Sequence, residues 1–297
     1  MPVKILITDI PVTFYPFLLL ILTLLIRYSG SGVVCLGKRI PWWVVTLSLS
    51  LCVAWLAELV TLSSLLLLVL LTAAVYFYGR LEVRWHNELL YAVTLIVSYL
   101  ILMRIMPGFA SLVVYQNHIF GENIFPHSLM LHYGKAFVGI LIFCVLSRRV
   151  QSWHQLWLGL IAVKWVPLLL AGYFALGMAL WYVPDVKFES QLVVFLISNL
   201  FFIVVVEEAF FRALVQEKLE HLLGGDDLES RYLAAVITTV FFSLSYYING
   251  ITIEEAILTF IAGMIYAFVY GQTRLVEVSI LFHFAVNGIR VSYFLFP

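Results

Sequence analysis

The sequence predicts an all-α fold, a polytopic transmembrane helix bundle of about 8–10 spans. Three observations lead there. Of 297 residues, 63% are hydrophobic and 11% charged, where a soluble domain carries about 25% charge, and the mean hydropathy is +1.04. Apolar stretches of about 20 residues, the length that crosses a bilayer core, recur along the whole chain. Lys and Arg gather in alternate short connections, the charge pattern of cytoplasmic loops.

The apolar stretches fall at about 12–27, 41–58, 61–78, 88–104, 129–147, 154–182, 191–214, 232–248, 255–270 and 276–294. The second and third are close, with Glu58 near their turn, so full crossing by both is not required. The sixth is long and carries Lys164 and Pro167, which predicts a tilt or kink. The ninth is short, opens on Glu254-Glu255 and is expected to be partly re-entrant. Alternate loops carry Lys38 and Arg39, Arg80 and Arg84, Arg148 and Arg149, Lys218 and Arg231, and Arg274. Ten spans with these loops inside put both termini on the non-cytoplasmic side. The loop 105–128, with Pro107, Gly108, Gly121 and Pro126, is expected to be a non-cytoplasmic cap. Trp42, Trp43, Trp85, Trp153, Trp157 and Trp181 fall near span ends, as interfacial aromatics do. Charge moves into or beside the spans after residue 183, and the chain divides into N-terminal helices (1–130) and a C-terminal core (131–297).

Formal net charge is zero, which gives no hint of nucleic acid as a partner. Cys35, Cys52 and Cys144 are scattered without a CxxC spacing and read as free thiols. No set of residues has a metal-ligand spacing such as HExxH, so no cofactor is expected. The N-terminus lacks the pattern of a cleaved signal peptide.

Ionised groups inside a bilayer are costly, about 2.5–3.5 kcal/mol each on insertion scales, and so mark function. Glu207 and Glu208 close the apolar run Phe201–Val206, with Arg212 four residues after Glu208. Residues four apart share a helix face, so Glu208 and Arg212 can pair while Glu207 turns about 100° away. Glu207 is then the candidate general base for water, within reach of a cytoplasmic pocket. His283 and Asn287, also four apart, can point to one place. Histidine can hold or pass a proton and asparagine can donate to a developing oxyanion. The remaining histidines (His86, His118, His127, His132, His154, His221) lie in loops or at span ends and read as interfacial polar residues.

At these residues the chain resembles the CAAX protease and bacteriocin-processing family, membrane endopeptidases that include the type II CAAX prenyl endopeptidase. That family has the motifs EExxxR, FxxxH and HxxxN or HxxxD in order. Glu207-Glu208-Ala209-Phe210-Phe211-Arg212 matches the first and His283-Phe284-Ala285-Val286-Asn287 the third. The resemblance covers about 131–297. It implies that Glu207 activates water, that His283 and Asn287 stabilise the oxyanion, and that Glu208 and Arg212 support the site. The second motif departs from the family: Phe242-Ser243-Leu244-Ser245-Tyr246 ends in tyrosine where histidine is expected. A phenol donates a hydrogen bond but takes no proton at neutral pH. The histidine's assisting role therefore has no matching residue.

Two function classes are compatible with these residues. One is a glutamate-type intramembrane endopeptidase acting on a peptide or membrane-protein substrate. The other is an inactive relative that binds such a partner as a scaffold. A solute transporter would show internal symmetry, and neither motif recurs in the first half. Short loops suit a bacterial inner membrane. Oligomeric state and substrate identity have no sequence signal.

Overall fold

The computed structural model describes residues 11–35, 37–118, 127–186, 189–225 and 227–294. Within them the chain is helical, with two small two-stranded sheets, the first of them antiparallel. In order the elements are α1 (Tyr15–Arg27), β1 (Gly32–Cys35), β2 (Lys38–Pro41), α2 (Trp42–Leu56), α3 (Leu62–Phe77), α4 (Arg84–Leu102), β3 (Ser111–His118), β4 (His127–His132) and α5 (Tyr133–Leu146). Next come α6 (Trp153–Ala162), α7 (Val166–Leu180), the continuous α8 (Ser190–Leu223), α9 (Leu228–Ile248), α10 (Ile253–Thr273) and α11 (Val276–Tyr293). β1 pairs with β2 and β3 with β4. The expected cap falls partly on 119–126, including Gly121, and its Pro126 likewise lies outside the described residues.

The chain divides into two compact units. The first takes in the described residues up to Val114, together with Met130–Val145. Its helices bury apolar stripes such as Leu20, Leu24, Leu68 and Leu71. Each buried hydroxyl at the α1–α2 seam finds a partner, as burial in a water-free interior requires. Ser50 donates to the Pro16 carbonyl at 2.8 Å and lies 3.0 Å from the Tyr133 hydroxyl. Arg27, 4% exposed, stacks its guanidinium over Phe143 at 4.3 Å. Cys52 and Cys144 are free thiols.

The second unit holds the described residues of 115–129 and those from Leu146 onward. Here the predicted long sixth stretch is two helices, α6 and α7, bent by 58°. The cause is local: Pro167 in the first turn of α7 has no N–H to continue the α6 ladder. Val163, Val166 and Tyr173 from this region pack with Ile265, Tyr266 and Val278 of α10 and α11. α9 and α10 approach closely at Gly263, where a Cβ would lie 3.0 Å from Phe242 and Thr239 side-chain carbons. α10 is longer than the re-entrant segment expected at 255–270. A capping box between Thr252 and Glu255 starts it at Ile253, and it runs 21 residues.

Every predicted span thus contains a helix, the sixth two, but fewer meet the length of a crossing. Among the described residues, α4, α8, α9 and α10 are long and apolar enough, and the bent α6–α7 pair makes up to five. α1, α2, α3 and α5 have 13, 15, 16 and 14 residues. At 1.5 Å per residue they reach about 20–24 Å, short of a hydrocarbon core of about 30 Å. Turns, caps and short strands take up residues that hydropathy alone counts as span. The chain is an integral membrane protein built as an all-α bundle.

Candidate active site

The site is built on α8, whose 34 residues are not a plain α-helix. Two stretches, Leu200–Val204 and Ala209–Gln216, are π-helical, and the single α turn Val205–Glu208 lies between them. A π segment inserts a residue into the helical repeat and re-aims the side chains beyond it, a feature frequent at functional sites. Nothing in composition or periodicity announced it. Glu207 and Glu208, adjacent in that α turn, point toward different helices.

Glu208 is wholly buried and doubly engaged. Arg212 Nε donates to its Oε2 at 2.9 Å, and His283 Nδ1 lies 2.8 Å from its Oε1. The paired role expected of Glu208 and Arg212 is therefore the arrangement found. Arg212 also donates to Gln216 Oε1 at 3.3 Å and to the Gly263 carbonyl at 3.4 Å. Glu207, 4% exposed, turns instead to α9, where Tyr246 donates its hydroxyl proton to Oε2 at 2.7 Å.

α11 supplies His283 and Asn287, and both reach α8, though at different heights. The His283 ring is buried, stacked on Tyr266 at 4.5 Å with planes 13° apart and edge-on to Phe242. Its Nδ1 faces Glu208, while Asn287 Nδ2 donates to Asn199 Oδ1 at 3.3 Å. Phe242 is a packing residue joining three parts of the site: its ring meets Phe211 at 4.9 Å, Tyr246 at 5.1 Å and His283 at 6.1 Å. Tyr246 occupies the second-motif position and puts its polar atom on the candidate base.

Four residues here were not among the predicted site. Asn199 is a buried amide in an otherwise apolar run, a signal that hydropathy averaging hides. Gln216 and Glu220 continue the four-residue spacing of Glu208 and Arg212, and that periodicity is readable in the sequence. Tyr266 gives no sequence signal, being one aromatic among many.

A separate cavity of about 540 Å³ lies where α7 and α9 begin and α10 ends, lined by Trp165, Arg231, Tyr232 and Phe268 among others. It contains none of the motif residues. No three His, Cys, Asp or Glu side chains group to hold a metal among the described residues.

The fold and site together define an integral membrane helix bundle with a buried Glu-Arg-His cluster and a second, separately engaged glutamate. Residues 189–289, about a third of the chain, match the family model of the type II CAAX prenyl endopeptidase Rce1-like proteins. The match spans Glu207, Tyr246, His283 and Asn287, so this part of the chain is similar to a membrane protease family. No curated protein and no solved structure matches the chain.

Proposed function

We propose that the protein is an intramembrane endopeptidase in which Glu207 activates water for attack on a peptide bond. The observation that carries this reading is the division of labour between adjacent carboxylates. Arg212 and His283 engage Glu208, while Glu207 accepts a hydrogen bond from the Tyr246 hydroxyl on another helix. In the reaction, the Glu207 carboxylate takes a proton from water as its oxygen bonds to the scissile carbonyl carbon. Asn287, half-buried, donates to the resulting oxyanion. The proton on Glu207 passes to the leaving nitrogen as the C–N bond breaks. Tyr246 fixes the carboxylate, so the histidine of the usual second motif is replaced by a positioning donor. In this reading the C-terminal end of α8 faces the cytoplasm of a bacterium and substrate enters from there; the Lys and Arg of the neighbouring short loops support that orientation.

A second reading has its own observation. The same Tyr246 bond occupies an oxygen of the candidate base, which suits a binding pocket that no longer cuts. Tyr246→His separates the two. A rise in Glu207-dependent cleavage supports an enzyme weakened at this position. Absence of cleavage in both Tyr246→His and the parent, with retained capture of a peptide or membrane-protein partner, supports the scaffold.

A further inference from the structure

From the motif toward its C-terminal end, α8 carries a stripe of buried polar side chains that the reaction as described does not use. Glu208, Arg212 and Gln216 are each 0% exposed and Glu220 2%. They stand one turn apart and bond in sequence. Arg212 joins Glu208 to Gln216, and Gln216 Nε2 donates to Glu220 Oε1 at 3.4 Å and to the Ala267 carbonyl at 3.0 Å. Glu220 closes the row through an ion pair with Arg274. Arg274 ends α10 with φ at 59°, the left-handed cap where glycine is usual. The row runs 12 residues from Glu208, up to about 18 Å.

Apolar side chains would fill this stripe without loss of hydration, so the row needs another reason. Its upper end supplies one. An ionised carboxylate has acceptors only, so at the Glu208 contact the proton sits on His283 Nδ1. That fixes the ring's rotation and leaves Nε2 as the ring atom available to the site. The ring face is held by Tyr266, but its tautomer is set by Glu208 alone among the contacts described above. Glu208 in turn keeps its place through Arg212, whose guanidinium is held on its far side by Gln216 and the Gly263 carbonyl.

We propose that Gln216 and Glu220 are positioning residues, whose hydrogen-bonded row to Arg212 and Glu208 locks His283 with Nδ1 protonated and keeps Nε2 as an acceptor that orients the attacking water. The catalytic part of this statement rests on the hydrolase reading above; the state of the ring does not.

The test uses the full-length protein in lipid nanodiscs, with ¹⁵N-labelled histidine and the His283 signals identified by their loss in His283→Gln. Wild type is expected to show His283 protonated at Nδ1. Gln216→Met, close in shape but without hydrogen bonds, is expected to blur or mix that signature and to lower kcat about 10–100-fold with KM within about twofold. Glu220→Gln, which keeps an acceptor for Gln216, is expected to retain the wild-type ring signature and most of kcat. A neutral His283 protonated at Nε2 in the wild type would overturn the proposal, even if no variant folds. So would an unchanged ring signature and kcat in folded Gln216→Met. Cleavage that persists in Glu207→Gln sinks the hydrolase reading instead, and the ring signature then decides the positioning claim by itself.

Discussion

Removing the Arg212 side chain tests how the buried charges hold the core. In Arg212→Met the guanidinium leaves Glu208, Gln216 and the Gly263 carbonyl at once, bonds of 2.9, 3.3 and 3.4 Å. Glu208, with no exposed surface, would keep only His283. Breaking a buried ion pair from one side costs about 3–5 kcal/mol, mostly from the charge left behind. Glu208→Gln should cost a similar amount by stranding Arg212. The double variant Glu208→Gln with Arg212→Met leaves neither charge, and the amide oxygen it introduces can still accept from His283. It is therefore expected to cost less than either single change. Equilibrium unfolding in mixed micelles would measure all three against wild type. A double variant whose loss equals the sum of the singles would refute the reasoning, as would singles within about 1 kcal/mol of wild type.

Three other outcomes are expected. Tyr246→Phe removes one hydrogen bond to a charged group and should cost about 1.5–3 kcal/mol; thermal unfolding indistinguishable from wild type would mean that the phenol does not hold Glu207. Gly263→Ala puts a Cβ 3.0 Å from Phe242 and Thr239 and should destabilise by about 1–3 kcal/mol through overpacking; a neutral or stabilised variant would show slack in the α9–α10 seam. At the start of α9, Ser230 donates its N–H and its hydroxyl to the two oxygens of Asp227, at 2.8 and 2.7 Å. These bonds hold the exposed Asp227 carboxyl below its ordinary range. A carboxyl so lowered stabilises above its unfolded value and loses that contribution as pH falls through the folded one. The stability gap between wild type and Asp227→Ala should therefore narrow in acid; a gap that widens would contradict it.

Much of this was legible in the residues. The ten apolar stretches each became helix, and Pro167 marked the α6–α7 bend. The four-residue spacing of Glu208 and Arg212 gave their pairing and left Glu207 on another face. What was not legible is tertiary or depends on end effects. Hydropathy cannot see that α1, α2, α3 and α5 stop at 13–16 residues, because it does not separate helix from the caps, turns and strand that take up the ends of each apolar stretch. It gave α10 too short a length, because Glu254 and Glu255 read as a boundary when they form its capped first turn. The spacing of His283 and Asn287 suggested one meeting point. The structure sends His283 to Glu208 and Asn287 to Asn199, partners nine residues apart on α8. Tyr246 could be assigned to the second-motif position by counting, but its bond to Glu207 depends on how α8 and α9 pack. The π segments on either side of the two glutamates have no compositional mark.

The central claim is that Glu207 performs peptide hydrolysis inside the membrane. Mass spectrometry of peptides released by membranes holding wild type or Glu207→Gln, at matched expression, tests it most directly. Wild type is expected to release at least one product that is absent from Glu207→Gln. The same product formed equally by both would contradict it.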